Sequence, residues 1–575
     1  MGTSGQSLLF QDYLKAVRHS VARRDYTEMT LRTPLENFIK GLNPEFDVTH
    51  EAKRLKKLGA PDFTAYRSGV NVGYIEAKEL GKNLDHELES EQLKKYRESI
   101  DNIILTDYRR FILIRGNQTI FDLSLFNQPD LSNAKSRISD NKIHEFLQLI
   151  DTFFGYSQPT IRSAKVLAGE LAKKTKLLKD LAREQLEEDL SKIDHSEKPS
   201  PLYDFYETLN ELIKDIHIED CADAYAQTIT YGLFLAKISE KQALDRDTAA
   251  SHIPRNIKII RKIFSSIAGD VLPPDVSWIV DAVVEILNAT EVDEILSEID
   301  FRGKKDRDPF TFFYEDFLAL YEPERKKHLG VYYTPRPVVS FIVKSVNQIL
   351  KDEFDKPMGL AEEGLTVLDP AVGTGTFLWL VYLSSLVELK DKGLSGLIRQ
   401  KIKKHILKDF YGFELLITPY IIAHLKLTTV LRKWFYEFGD DDRIQVYLTN
   451  TLEPFEKHTH MPFFRELTEE SETADDLKLK KPVLVVLGNP PYSRSSSNKS
   501  DWIMEKVQDY KANLHERNIQ PLDDDYIKFV RFAQWKVDQN GEGVVAFITN
   551  NRFLDALSIG KCERVCWTAL AEFTY

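Results

Sequence analysis

The spacing of apolar and polar positions changes character along the chain. From residue 1 to about 155, helix-like and strand-like patterns are mixed. From about 156 to 320 the spacing is mainly helical. Ala164, Leu167, Ala168, Leu171, Leu178, Leu181 and Ala182 form one such stripe. The stretch SKIDHSEKPSP breaks it with two prolines, and WIVDAVVEILNA resumes a helical pattern. From about 321 to 575, short β-rich runs alternate with helical stretches, which predicts an open α/β sheet. The aliphatic run VLVVLG in this region stops at Asn489, Pro490, Pro491 and Tyr492. A run bounded in this way reads as a buried strand ending in a loop. Three sections are therefore expected: 1–155, a helical connector over 156–320, and an α/β domain over 321–575.

Composition adds limits. Of 575 residues, 42% are hydrophobic and charge is well mixed, which is ordinary for a globular protein with large cores. No apolar run reaches the roughly 18 residues of a membrane span, so no membrane association is expected. The first residues carry charges inside their apolar part and do not form a signal peptide. Cysteines occur only at 221, 562 and 566, which fits a reducing cytoplasm rather than a disulfide framework. The net charge of −12 argues against a uniformly basic nucleic-acid binder, but a local basic cleft is compatible with it. The basic stretch EAKRLKKLGA is read as a solvated face or a phosphate contact. The last twenty residues hold two of the three cysteines and depart from the fluent GEGVVAFITNNRFLD before them. They read either as a compositional accident or as a chain that leaves its ancestral sequence near Asp555 and stops early.

Near the N-terminus, Asp62 follows Pro61, and YIEAKE follows with Glu76 and Lys78 two residues apart. In a strand, Tyr74, Glu76 and Lys78 share one face while Ile75 and Ala77 share the other. Two carboxylates and an ammonium would converge beside a turn. Carboxylate oxygens suit Mg²⁺, which keeps several waters and acidifies one of them. That assembly suits phosphodiester hydrolysis. An isolated E-x-K is common on surface strands, so its neighbours decide. RTPLENFIKGL offers a helix with Glu36, and EQLKKYRESI places Gln92 and Tyr96 one turn apart. The ordered series resembles the PD-(D/E)xK nuclease fold. The resemblance implies metal and catalytic roles for Asp62, Glu76 and Lys78. It gives Glu36 a supporting place at the metal, and Gln92 and Tyr96 a supporting place at the site or its DNA contact.

In the C-terminal section, LTVLDPAVGTGTFLWLVYL is a strand, a Gly-rich turn and a helix. Glycines allow close backbone approach, and Asp369 at the strand end can meet polar parts of a cofactor. The turn is neither G-x-G-x-x-G nor a Walker motif, which disfavours a nucleoside triphosphate. GVYYTPRPVVSFIV precedes it; DFYGFELLITPYIIAHLKL and then GNPPY follow. This order resembles the S-adenosylmethionine-dependent methyltransferases that modify exocyclic amino groups of bases. N-P-P-Y resembles their adenine-specific branch. The resemblance implies that Thr334 and Pro335 contact the methionine end of the cofactor. It assigns Asp369, Ala371, Gly373 and Gly375 to the cofactor loop and Glu414 to the ribose hydroxyls. Asn450 stands where the family usually has an Asp near the cofactor's adenine.

An aryl amine is a poor nucleophile because its lone pair is delocalised into the ring. The Asn489 side-chain oxygen and the Pro490 carbonyl can accept from the NH₂ and favour a pyramidal nitrogen. The prolines hold the loop in shape. Tyr492 offers a face for a base extruded from its duplex, which costs a few kcal/mol.

Together the two sites resemble type IIG and related single-chain restriction–modification enzymes, apparently truncated at the C-terminus. The resemblance implies methylation of adenine in double-stranded DNA and Mg²⁺-dependent cleavage of unmodified DNA. Recognition would come from a missing C-terminal domain or a separate specificity subunit. The related type ISP enzymes carry a helicase, whereas this connector is too short for two motor domains, so no ATP-driven motor is expected. A methyltransferase acting alone, on DNA or on a protein glutamine amide, is the alternative. So is an inactive remnant that binds cofactor or DNA.

Overall fold

The computed structural model describes residues 3–22, 28–50, 60–194, 199–212, 216–240, 243–253, 261, 264–265, 272, 274–298, 309–321, 334–439, 441–454, 465–492, 496, 498–511 and 520–549. The unusual C-terminal stretch and most of the basic segment EAKRLKKLGA lie outside these residues. The chain forms two compact units. The first comprises residues 1–161, 170–184 and 273–291, and the second holds the remainder. Residues of the expected connector therefore contribute to both. The stripe beginning at Ala164 is a 31-residue helix, Ala164–Asp194, and its middle belongs to the first unit.

The first unit is built on a six-stranded sheet in sequential order: β1 (Phe46–His50), β2 (Phe63–Arg67), β3 (Val70–Ala77), β4 (Ile103–Thr106), β5 (Arg110–Arg115) and β6 (Gln118–Ser124). The pair β3–β4 is parallel and the other pairs are antiparallel. A parallel neighbour needs a crossover, and the helix Glu91–Ser99 lies in it. One sheet face packs on the helices Thr3–Ala22, Glu28–Leu42 and Asp140–Phe154, around Phe10, Phe38, Phe111 and Phe146. The strand period places Ile75 in that core. Tyr74, on the opposite face, is buried as well, with its ring 5.4 Å from Trp278. β3 is thus covered on both sides, and Glu76 is fully buried.

The second unit contains a parallel sheet in the order β11-β10-β7-β8-β9. The strands are β7 (Val367–Asp369), β8 (Phe410–Glu414), β9 (Gln445–Leu448), β10 (Val485–Gly488) and β11 (Val544–Phe547). Helices connect them, so the central strands read as continuous apolar runs; β7 and β10 are buried throughout. The order reverses between β7 and β10. Open α/β sheets bind ligands at such a point, beyond the strand carboxyl ends. The α/β reading of this section matches the observed sheet. Among the described residues no helix is long and apolar enough to cross a membrane.

Candidate functional site

In the second unit, Asp369, Glu414, Asn450 and Asn489 stand at or just after the carboxyl ends of β7, β8, β9 and β10. Parallel pairing puts all four ends on one edge of the sheet. Asp369 is 1% exposed. Its Oδ1 accepts from the Ala371 N–H at 3.1 Å, whereas its Oδ2 has no hydrogen-bond partner among the described residues. Burial pushes its carboxyl up to about 8, and the nearby Glu414 charge adds to the effect. Glu414 receives the N–H groups of Gly373 (2.8 Å), Leu415 (2.9 Å) and Leu416 (2.8 Å). Burial raises its pKa while these donors oppose the rise. Gly373 and Gly375 have φ of +55° and +80°, and Gly375 opens the helix Thr376–Asp391. The turn thus brings a buried carboxylate pair against backbone N–H groups.

Gly488 joins this cofactor-loop region to the N-P-P-Y loop. A Cβ at Gly488 would lie 2.7 Å from Asp369 Oδ1, so a glycine is needed for β7 and β10 to close here. Asn489 follows directly. Its Nδ2 donates to Thr334 Oγ1 at 3.2 Å, and Pro335 precedes the helix Arg336–Glu353 as its N-cap. The Tyr492 hydroxyl lies 3.0 Å from Asn489 Oδ1 and 2.9 Å from the Ile548 carbonyl. Its proton can thus serve either oxygen. The Tyr492 ring sits 5.8 Å from that of Tyr526, with the planes tilted. Asn450 Oδ1 accepts from Leu452 N–H at 3.0 Å, and its Nδ2 donates to Asn498 Oδ1 at 3.2 Å.

The first unit assembles most of the other predicted set. Asp62 and Glu76 are 1% and 0% exposed. Lys78 Nζ donates to Glu76 Oε1 at 2.8 Å and to Gln92 Oε1 at 3.2 Å. Gln92 Nε2 in turn donates to the Tyr96 hydroxyl at 3.2 Å. Asp62 Oδ2 accepts from Ala77 N–H at 2.7 Å, and its Oδ1 receives the Arg32 guanidinium. Glu36 is engaged elsewhere, by Lys40 at 2.8 Å. No group of three His, Cys, Asp or Glu residues that could hold a metal occurs among the described residues. Among the described residues, Asp62 meets the Arg32 guanidinium and Glu76 the Lys78 ammonium.

Residues 305–556 match the family described as N-6 DNA Methylase. The match covers less than half of the chain. Asp369, Glu414, Asn450, Asn489 and Tyr492 all fall inside the matched segment. Among solved structures, a cryo-EM DrdV–DNA complex is similar at 22% identity, with a TM-score of 0.50, over 97% of this chain and 51% of that one. The ATP-dependent type ISP restriction–modification enzyme LlaBIII, bound to DNA, is similar at 20% identity and a TM-score of 0.54, over 74% of this chain and 27% of that one. A nuclease-deletion mutant of the type ISP enzyme LlaGI gives 20%, 0.50, 74% and 32% in the same order. The chain therefore spans about half the length of the DrdV chain and less of the other two. At these identities the likeness is one of fold. No curated protein sequence matches the chain.

Arg32, Gly488 and Asn498 join these sites without having been singled out in the sequence. Arg32 lies one helical turn before Glu36, and Gly488 directly precedes the N-P-P-Y motif. Nothing local in the sequence distinguishes Asn498.

Asp369 supplies a prediction. Its raised carboxyl means that the folded chain without ligand holds a proton that the unfolded chain has released. The sign follows from linkage: this stability is complete below the ordinary Asp pKa and is lost as pH rises through about 8. Asp369→Asn removes the penalty, so its melting temperature should exceed that of the wild type above pH 8. Its affinity for the sulfonium cofactor should fall by about tenfold, as expected when a charge-assisted contact is lost. Thermal melts at pH 6 and 9, paired with cofactor titration, check both directions.

Proposed function

We propose that this chain is a restriction–modification enzyme that methylates the exocyclic amino group of adenine in DNA and cleaves unmodified DNA with Mg²⁺. One observation carries the methylation reading: at the sheet's switch point, the unpartnered Oδ2 of buried Asp369 belongs to a side chain directly against the backbone leading into Asn489. A buried oxygen of this kind fits a cationic ligand. The N-6 DNA methylase match supports the same reading, as do similar chains described as bound to DNA.

S-adenosylmethionine supplies an activated methyl group when bound. Thr334, Asp369, Ala371, Gly373, Gly375, Glu414 and Asn450 are the residues that would hold it. Asn489 Oδ1 and the Pro490 carbonyl accept from the target NH₂ and draw its hydrogens out of the ring plane, which frees the nitrogen lone pair. Tyr492 has two tasks in this reading. Its ring borders the base position, and its hydroxyl can turn to the Ile548 carbonyl, leaving Asn489 Oδ1 for the substrate.

The buried Asp62–Glu76–Lys78 group supports the cleavage reading. Asp62 and Glu76 would hold Mg²⁺, and Lys78 is placed to assist a bound water. Gln92 and Tyr96 keep Lys78 in line. Recognition of a particular sequence is assigned to a further domain or subunit.

The test is methyl transfer from labelled S-adenosylmethionine to mixed-sequence DNA, beside an Asn489→Ala control. Transfer into adenine that disappears in the control supports the reading. Cofactor binding without transfer, even after a recognition module is supplied, would sink it.

A further inference from the structure

A hydrogen-bond chain with a fixed direction runs from the helix Asp525–Asp538 to Asn450. Asp525 is 6% exposed and Lys528 is 1% exposed. Asp525 Oδ1 receives Asn498 Nδ2 at 3.0 Å and also the Ser496 hydroxyl. Lys528 Nζ donates to Ser496 Oγ at 2.6 Å and to the Asn498 carbonyl. The Asn498 N–H donates to Ser496 Oγ at 3.0 Å. Side chain and backbone of Asn498 are thus held by a buried carboxylate and a buried ammonium, which Ser496 bridges.

The polarity follows from chemistry. An ionised carboxylate only accepts, so Asn498 must present its NH₂ to Asp525. Its Oδ1 then faces Asn450, which must supply an NH₂ in turn, and does so at 3.2 Å. Asn450 Oδ1 is left for the Leu452 N–H at 3.0 Å. Lys478, 0% exposed, holds the same loop through the carbonyls of Asn450 at 2.9 Å and Glu453 at 2.7 Å. An aspartate at 450 would set an acceptor against Asn498 Oδ1 and also against Glu453 Oε2, to which Asn450 Nδ2 donates more weakly at 3.5 Å. The helix Asp525–Asp538 also carries Tyr526, which packs on Tyr492.

From this geometry we infer that Asn498, fixed by Asp525 and Lys528, is a positioning residue. It sets the Asn450 side of the cofactor pocket and ties it to the helix behind the target-base loop. The inference rests on the cofactor reading above, and it explains why residue 450 is an amide. Were residue 450 only a direct contact to the adenine amino group, a carboxylate there would serve at least as well.

The experiment is calorimetric titration of S-adenosylhomocysteine into the full chain. Asn450→Asp is expected to bind about tenfold more weakly, because it replaces a hydrogen bond with an acceptor–acceptor contact. Adding Asp525→Asn should recover most of the affinity. Asn498 can then turn over, donating to Asp at 450 and accepting from Asn at 525. A merely structural lesion would not be rescued by a second substitution. Asn498→Ala cuts the link without adding charge and should weaken binding in the same direction. Equal or tighter binding by N450D, no rescue in N450D/D525N, or unchanged affinity in N498A would each overturn the inference alone. A wild-type chain that fails to bind the cofactor product would overturn the functional reading and this inference with it.

Discussion

Asn489→Ala is expected to lower methyl transfer to DNA by two to three orders of magnitude while leaving cofactor affinity within a few fold. The split follows from where Asn489 makes its contacts. Its Nδ2 is spent on Thr334 Oγ1 at 3.2 Å, and its Oδ1 lies 3.0 Å from the Tyr492 hydroxyl. Neither contact involves Asp369 or Glu414, the carboxylates assigned to the cofactor in the proposed reading. In the proposed reaction the Oδ1 acts on the target NH₂ and gains strength as that nitrogen becomes pyramidal. Losing one preorganised group of this kind typically costs about 10²–10³ in rate. Tyr492→Phe provides the contrast. It keeps the ring beside Tyr526 and removes only the hydroxyl shared between Asn489 Oδ1 and the Ile548 carbonyl. A loss of about tenfold or less is expected there, in line with one hydrogen bond of net ~1 kcal/mol. Initial rates with saturating labelled cofactor, beside calorimetric affinity, separate the effects. An Asn489→Ala enzyme that transfers methyl groups at the wild-type rate would remove Asn489 from the chemistry.

The two sites were legible in the sequence to different depths, for physical reasons. The N-P-P-Y loop announces itself because a parallel, doubly covered strand is an unbroken apolar run, and VVLG ends against an amide and two prolines. The same logic exposes β7 and the glycines after it. In the first unit, the two-residue period grouped Glu76 with Tyr74. It could not show that both faces of β3 are buried, since alternation is silent when each face meets a helix. Which helical residue meets Asp62 was also hidden. Arg32 and Glu36 lie one turn apart and share a face, so spacing alone cannot choose between them; only the tilt of the helix over the sheet does. The chain from Asp525 to Asn450 is built from residues 75 positions apart at its ends, and no local pattern marks such a link. The connector proved similarly hard to delimit, because one long helix with a continuous apolar stripe contributes to both units.

Arg32→Ala should destabilise the first unit by about 3–5 kcal/mol, the usual cost of stripping one partner from a buried ion pair. Arg32 and Asp62 side chains are 4% and 0% exposed. Without the guanidinium, the Asp62 carboxylate keeps the Ala77 N–H at 2.7 Å as a donor but loses the Arg32 charge beside it. The loss can be read locally as faster hydrogen exchange across β3 and the helix Glu91–Ser99. If Asp62 and Glu76 form a cation site, Mg²⁺ can take over the missing charge. Millimolar Mg²⁺ should then restore much of the protection in Arg32→Ala and little in Arg32→Ala/Asp62→Asn, where the carboxylate is gone. Glu36 supplies the internal contrast. It pairs with Lys40 at 2.8 Å, so Glu36→Gln in the Arg32→Ala background should leave the Mg²⁺ response intact. Protection in Arg32→Ala that is indifferent to Mg²⁺ would mean that Asp62 is structural, held by Arg32 for the sake of the fold. Recovery that depends on Asp62 would mean that Arg32 occupies, in the metal-free chain, the place where the cleavage chemistry needs a divalent cation.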